Sequence, residues 1–249
     1  MRQVLKDQQV GLDSNFRYRG LSQTRVETFS DAAFALAITL LVLSSTVPQT
    51  FDQLRESMRM IPPFAFCVAL IALIWYQHYI FFLKYGLQNI KVVIINTILI
   101  FLILVYVYPL KFLSRFVFEF YGMLITGNSN TFSTTFGLES TSDVAFLLAV
   151  YGFGAAMIFM CLAWLYRYAL GRKEDLDLNE YEEFMTRASM RTNLLLASIP
   201  LTSACVAALD LWGNDITLIV AGNIYFFYPI VMIIYGRRIG ELRKKKFDT

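Results

Sequence analysis

An all-α membrane protein with six transmembrane helices is the fold class this sequence predicts, and three observations carry it. Of 249 residues, 57% are hydrophobic and 16% aromatic, and the mean hydropathy is +0.52, far from a soluble domain's composition. Six apolar runs are long enough to cross a hydrocarbon core about 30 Å thick. The basic residues fall almost entirely on one side of those runs.

The runs predict helices at about 26–47, 61–83, 92–113, 144–168, 189–211 and 216–236. Pro48 closes the first. Pro62 and Pro63 open the second, where their missing N–H groups cost nothing, and Gly236 with Arg237 and Arg238 closes the sixth. Trp75, Tyr76, Tyr79, Trp164, Tyr166, Tyr168, Trp212 and Tyr228 lie toward run ends, as interfacial aromatics do.

Charge orients the bundle. All of the 22 lysines and arginines except Arg55, Arg59, Lys111 and Arg115 lie at the termini, in the second-to-third connection or around the fourth-to-fifth connection. By the positive-inside rule both termini are cytoplasmic, which agrees with an even number of crossings. The net charge of +3 therefore reports topology, and it carries no nucleic-acid footprint. The first 25 residues are polar and lack the apolar stretch of a cleavable signal peptide. The expected location is the cell membrane, multi-pass, in a bacterial plasma membrane.

Little remains outside the runs. The external connection at about 114–143, with its polar stretch Thr126 to Gly137, and the cytoplasmic one at about 169–188, with the acidic run Glu174 to Glu183, are each too small to bury a core. Residues 1–249 are thus expected to form one membrane domain. The external stretch lacks the Thr-Val-Gly-Tyr-Gly pattern of ordinary potassium filters and reads as a solvated loop, and the acidic run reads as a solvated connection with helix-start carboxylates.

Enzymatic chemistry lacks its residues. Cys67, Cys161 and Cys205 are scattered over three apolar runs and read as small packing residues, and the single histidine is His78. No phosphate loop, H-E-x-x-H or G-x-S-x-G is present, and no cofactor is expected.

The first helix is the informative one. Leu36, Thr39, Leu40 and Leu43 recur at the spacing of one helix face, within about 60° of Leu36 on a wheel. Ser30 and Asp31 face away from that stripe. A carboxylate at the mouth of a membrane helix needs partners, and the candidates are Arg25 on the same helix, Trp75 and His78 late in the second, and Asn89 or Asn96 early in the third. A leucine stripe is also ordinary helix packing, and a lone histidine is often a satisfied interfacial one that packs helices together. With a reference pKa near 6.5, His78 could also sense protons.

Arg25-x-x-x-Phe29-Ser30-Asp31 at the entrance to the first membrane helix resembles the R-x-x-x-F-S-D signature of the transmembrane protein 175 family of potassium channels. The six-helix pattern, the cytoplasmic termini and the Trp75/His78 pair extend the likeness over nearly the whole chain. With one signature, the chain resembles the prokaryotic single-repeat form, which assembles as a homotetramer. The resemblance implies that the first helix of each subunit lines a central pore, with Leu36, Leu40 and Leu43 as its constriction and Thr39 beside them. Arg25, Phe29, Ser30, Asp31, Trp75, His78 and Asn96 would form the signature and its structural polar network.

The implied function is a channel for K+, with other monovalent cations passing less well. Leucines offer no oxygen to replace an ion's hydration shell, so passage requires partial dehydration or widening. Potassium sheds water more readily than sodium, and a ring of Thr39 hydroxyls could add oxygen ligands for it. Selectivity over sodium is therefore expected to be weak to moderate, with gating by dewetting. The alternative is a secondary transporter or proton-conducting pathway built on an inverted repeat. Asp143 to Ala149 echoes Asp31 to Ala37, although Gly137 occupies the place of Arg25 and Thr141, Ser142 and Asp143 are ordinary helix-start residues.

Overall fold

The computed structural model describes residues 13–43, 47–126, 141–209 and 214–247. Those residues are helical apart from short connections, and six helical segments are long and apolar enough to cross a membrane. The end of the first helix beyond Leu43 and the polar external stretch after Thr126 lie outside the described residues.

Helix α1 runs over Arg25–Leu43. Thr24 and Glu27 set its start as a reciprocal cap: Thr24 N–H donates to Glu27 Oε2 (2.7 Å) and Glu27 N–H to Thr24 Oγ1 (3.1 Å), both side chains buried. A short helix α2, Phe51–Arg59, follows in the stretch left as a connection by the apolar pattern. Thr50 caps it, and all of its residues are exposed.

Helix α3, Ile61–Tyr85, carries its prolines in the first turn and ends on Gly86, whose φ of 59° is the left-handed turn that glycine adopts without strain. The N-terminal segment pairs with that end: Arg19 N–H donates to Lys84 O and Gly20 N–H to Leu83 O. A side chain on Gly20 would stand 2.1 Å from the Phe82 carbonyl, so only glycine permits the contact.

Helix α4, Ile90–Thr126, is longer than the expected 92–113. At about 1.5 Å per residue it outruns the bilayer core, and the aromatics that follow Pro109 prolong it past Lys111 and Arg115. Helices α5, Thr141–Gly171, and α6, Glu180–Leu209, form the most extensive pair. Small residues bring them together: a side chain at Gly152 would collide with the Pro200 carbonyl at 2.4 Å and with Ala204. Helix α6 starts nine residues before the expected 189, because Asn179 and Glu182 cap it reciprocally, at 2.8 and 3.1 Å.

The sixth apolar run is not one uniform helix. It comprises α7, Asn214–Asn223, a 3₁₀ turn at Ile224–Phe226, and α8, Phe227–Phe247. Pro229 explains the break, since it lacks an N–H and its ring crowds the carbonyl four residues back, at Tyr225. Gly236 does not close α8, which continues through its basic residues to Phe247. There Phe247 packs edge-on against Tyr181, whose hydroxyl donates to Asp13. The N-terminal segment and the end of α8 thus meet at one end of the bundle.

The core lies among α1, α3, α4 and α5, where Phe34, Leu41, Phe81, Phe82, Leu99, Leu162 and Leu165 are buried together.

Candidate pore helix and its polar anchor

Helix α1 has one covered face and one bare face. Phe34, Ala37 and Leu41 are buried against α3 and α4, together with Glu27 and Ser30. Opposite them, Arg25, Phe29, Ala32, Leu36, Thr39 and Leu43 are exposed, Leu36 to 49% and Leu43 to 71%. Their spacing of four, three, four, three and four residues is a straight seam along a helix. Leu40 differs from its expected companions: it is half-buried and packs on the core edge. The Thr39 hydroxyl donates to the Ala35 carbonyl at 2.9 Å, which directs its hydrogen back into the helix and leaves oxygen lone pairs outward.

Two polar links fasten the covered side. In the first, buried and continuous, Asn96 Nδ2 on α4 donates to Ser30 Oγ at 2.9 Å, while Asn96 Oδ1 meets His78 Nε2 on α3 at 2.8 Å. Ser30 in turn donates to the Val26 carbonyl. Each buried polar group therefore has a partner where no water competes. Phe34 and Phe82 flank the imidazole. In the second link, Trp75 Nε1 donates to Asp31 Oδ1 at 2.9 Å, and Gln23 Nε2 donates to Oδ2 at 3.1 Å. At the other end of α1, the Lys111 ammonium donates to the Leu41 carbonyl at 3.1 Å, a cation at a helix C-terminus.

Two expectations require correction. Arg25 is not a partner of Asp31: a six-residue separation puts the two on different faces, and Arg25 stands exposed at the end of the bare seam. Of the two asparagines considered, Asn96 joins the network and Asn89 does not; its Oδ1 is buried without a hydrogen bond. Trp75 and His78 act apart, one on Asp31 and one through Asn96.

The acidic run supplies first-turn carboxylates of α6, as expected of it, but one of them is not solvated. The Glu182 side chain is fully covered and receives Arg19 Nη2 at 2.7 Å, with Arg17 donating its backbone N–H at 2.8 Å and its guanidinium at 3.1 Å. Arg17 also reaches Asp177 at 3.0 Å, and Arg19 the Leu176 carbonyl at 2.8 Å. Hydrogen bonds to Glu182 and then Asp177 hold the Arg17 guanidinium even further above its ordinary value. This clamp ties the segment entering α1 to the α5–α6 connection. Its local signal was the Asn-x-x-Glu capping pattern at Asn179; the cap at α1 is marked likewise by Thr24-x-x-Glu27.

Residues 25–109 match the family described as the endosomal/lysosomal potassium channel TMEM175. A protein of Marivirga tractuosa described as a potassium channel is 54% identical over 228 residues, covering 92% of each chain. The crystal structure of a threonine-to-alanine variant of the potassium channel MtTMEM175, bound to a nanobody–MBP fusion, superposes with a TM-score of 0.85 at 52% identity, over 93% of this chain and 100% of that one. A TMEM175 homologue from Chamaesiphon minutus, described as a lysosomal potassium-selective channel, gives 0.54 at 18% identity over 86% and 96%, a likeness of fold alone.

Proposed function

We propose, from the premise that this chain belongs to the TMEM175 family of potassium channels, that it is a multi-pass membrane channel conducting K+ along an axis lined by α1. In this reading residues 1–249 form one membrane domain, both termini face the cytoplasm, and four copies surround the axis. The observation that carries it is the bare seam of α1, apolar from Phe29 to Leu43 except for Thr39, on a helix whose opposite face is bonded into its own subunit.

A single seam cannot enclose a path, so closure needs symmetry-related copies. Rings of Leu36 and Leu43, with Leu40 beside them, form the constriction and impose dehydration; this favours potassium modestly over sodium. A ring of Thr39 oxygens, each with its hydrogen already committed to Ala35, offers the ligands nearest the constriction. Without carbonyl ligands the selectivity is weak to moderate, and closure of the leucine rings stops conduction by dewetting. The transporter alternative is not favoured. It needs a titratable group facing the permeation route, whereas Asp31 is held by Trp75 and Gln23.

Purified protein in a planar bilayer under opposed potassium and sodium gradients tests the function. Current reversing toward the potassium value supports it. Strictly coupled exchange without current sinks it, as does a conducting monomer for the assembly.

A further inference from the structure

Between α4, α5 and α6 lies a groove of about 450 Å³, walled by Ile98, Leu102, Met157, Trp164 and Leu194 and ending on Arg167. Arg167 is exposed, and it takes part in none of the hydrogen bonds or ion pairs made among the described residues. Three other cations around the α5–α6 connection are engaged: Arg172 pairs with Asp175, and Lys173 and Arg187 with Glu183. An arginine left open at the end of an apolar groove is shaped for a ligand with a hydrocarbon body and an anionic head.

The depth fits one kind of molecule. Met157 and Arg167 are ten residues apart on α5, which at about 1.5 Å per residue is about 15 Å, half of a hydrocarbon core about 30 Å thick. Arg167 stands in the last turns of α5, beside the exposed indole of Trp164, at the level where headgroups and interfacial aromatics lie. It is also at the basic end of the bundle, where anionic lipids are attracted.

We propose that this groove holds one anionic phospholipid of the leaflet at the basic end, with its phosphate on the Arg167 guanidinium and an acyl chain along the walls toward Met157. A planar guanidinium pairs with phosphate oxygens through two parallel donors, and the aliphatic and thioether walls supply dispersion contacts a chain can follow. The site does not depend on whether α1 lines a pore.

The test uses full-length protein in detergent, with dioleoyl-phosphatidylglycerol or dioleoyl-phosphatidylcholine added and lipid retention read by native mass spectrometry. Phosphatidylglycerol is retained preferentially by the parent protein. Arg167→Gln lowers that preference about fivefold, while Arg191→Gln, outside the groove, leaves it unchanged. Leu194→Trp fills the groove and lowers retention of both lipids with Arg167 intact. Equal retention of the two lipids by the parent protein overturns the proposal, as does an unchanged preference in Arg167→Gln. Loss of oligomer in Leu194→Trp with lipid retention unaltered also overturns it and assigns the groove to a second copy of the chain.

Discussion

Trp75 on α3 donates its indole N–H to the Asp31 carboxylate on α1 at 2.9 Å, and this bond fixes the rotation of α1 about its own axis. With Asp31 turned toward α3, the seam of Leu36, Thr39 and Leu43 is turned away from the subunit. Trp75→Phe keeps the ring and removes the donor, and should cost about 1–2 kcal/mol, the value of a partly exposed hydrogen bond to a charge. Asp31→Ala removes the acceptor of both Trp75 and Gln23 and should lower the melting temperature of the assembly further. Neither should change ion preference. A normal assembly with altered selectivity in Asp31→Ala would put the carboxylate in the pore.

The buried link is the stiffer of the two. Asn96→Leu leaves the buried His78 Nε2 without its partner and Ser30 with only its bond to the Val26 carbonyl, so it should destabilise by more than Trp75→Phe, toward the upper end of about 1–3 kcal/mol for a buried polar group left unpaired. Thermal loss of the size-exclusion peak measures both variants. A milder effect for Asn96→Leu than for Trp75→Phe would show that water reaches His78.

What the sequence revealed and what it hid follow from the range of the interactions. The apolar runs and the helix-one seam are periodic over one element, and a wheel finds them. The orientation of Ser30 and Asp31 follows from the same wheel, since the buried side of α1 is the side they share with Phe34 and Leu41. Arg25 and Asp31 share one short motif, but a six-residue spacing separates the two around the helix. Glu182 was hidden for a different reason. Its cations Arg19 and Arg17 are 163 and 165 residues away, and no local pattern joins residues that distant. The break before α8 was legible in principle, because Pro229 marks it; an apolar average over the run smooths it out.

Glu182→Gln keeps the volume and removes the charge. Because the Glu182 side chain is fully covered while Arg17 is half-exposed, the cost should fall at the lower end for a broken buried pair, about 3 kcal/mol. The N-terminal segment should then loosen from α3 and α6. Hydrogen exchange at the Arg19 and Gly20 amides, which bond to Lys84 and Leu83, should rise by more than exchange in α4. Uniform exchange across the chain would mean that the clamp does not hold the entry to α1.

Leu36→Ala and Leu43→Ala each shorten a side chain that is about half or more exposed and lies outside the buried core. Both should leave stability within about 0.5 kcal/mol of the parent in an isolated subunit. Conductance should rise and potassium-over-sodium preference fall, because a wider ring lowers the dehydration barrier for every ion. Unchanged current in both variants would remove these leucines from the permeation path.

Thr39→Val separates ion coordination from structure, because it keeps the β-branched shape of the side chain while deleting the hydroxyl. The hydroxyl of Thr39 spends its hydrogen on the Ala35 carbonyl, a bond that contributes little to a helix already hydrogen-bonded along its backbone. Deleting it should leave assembly and melting temperature close to those of the parent. If four copies of the oxygen ligate a partly dehydrated ion next to the leucine rings, their loss should shift the reversal potential in mixed potassium and sodium toward zero. Potassium binding should weaken in the same variant, since its dehydration is no longer offset by protein oxygens. Thr39→Ser, which restores the oxygen, should recover most of the preference, whereas a purely steric role for Thr39 would leave Thr39→Val at parental selectivity and make Thr39→Ser the disturbed variant. Reversal potentials of the three proteins, measured in the same bilayer and salt, decide between those outcomes.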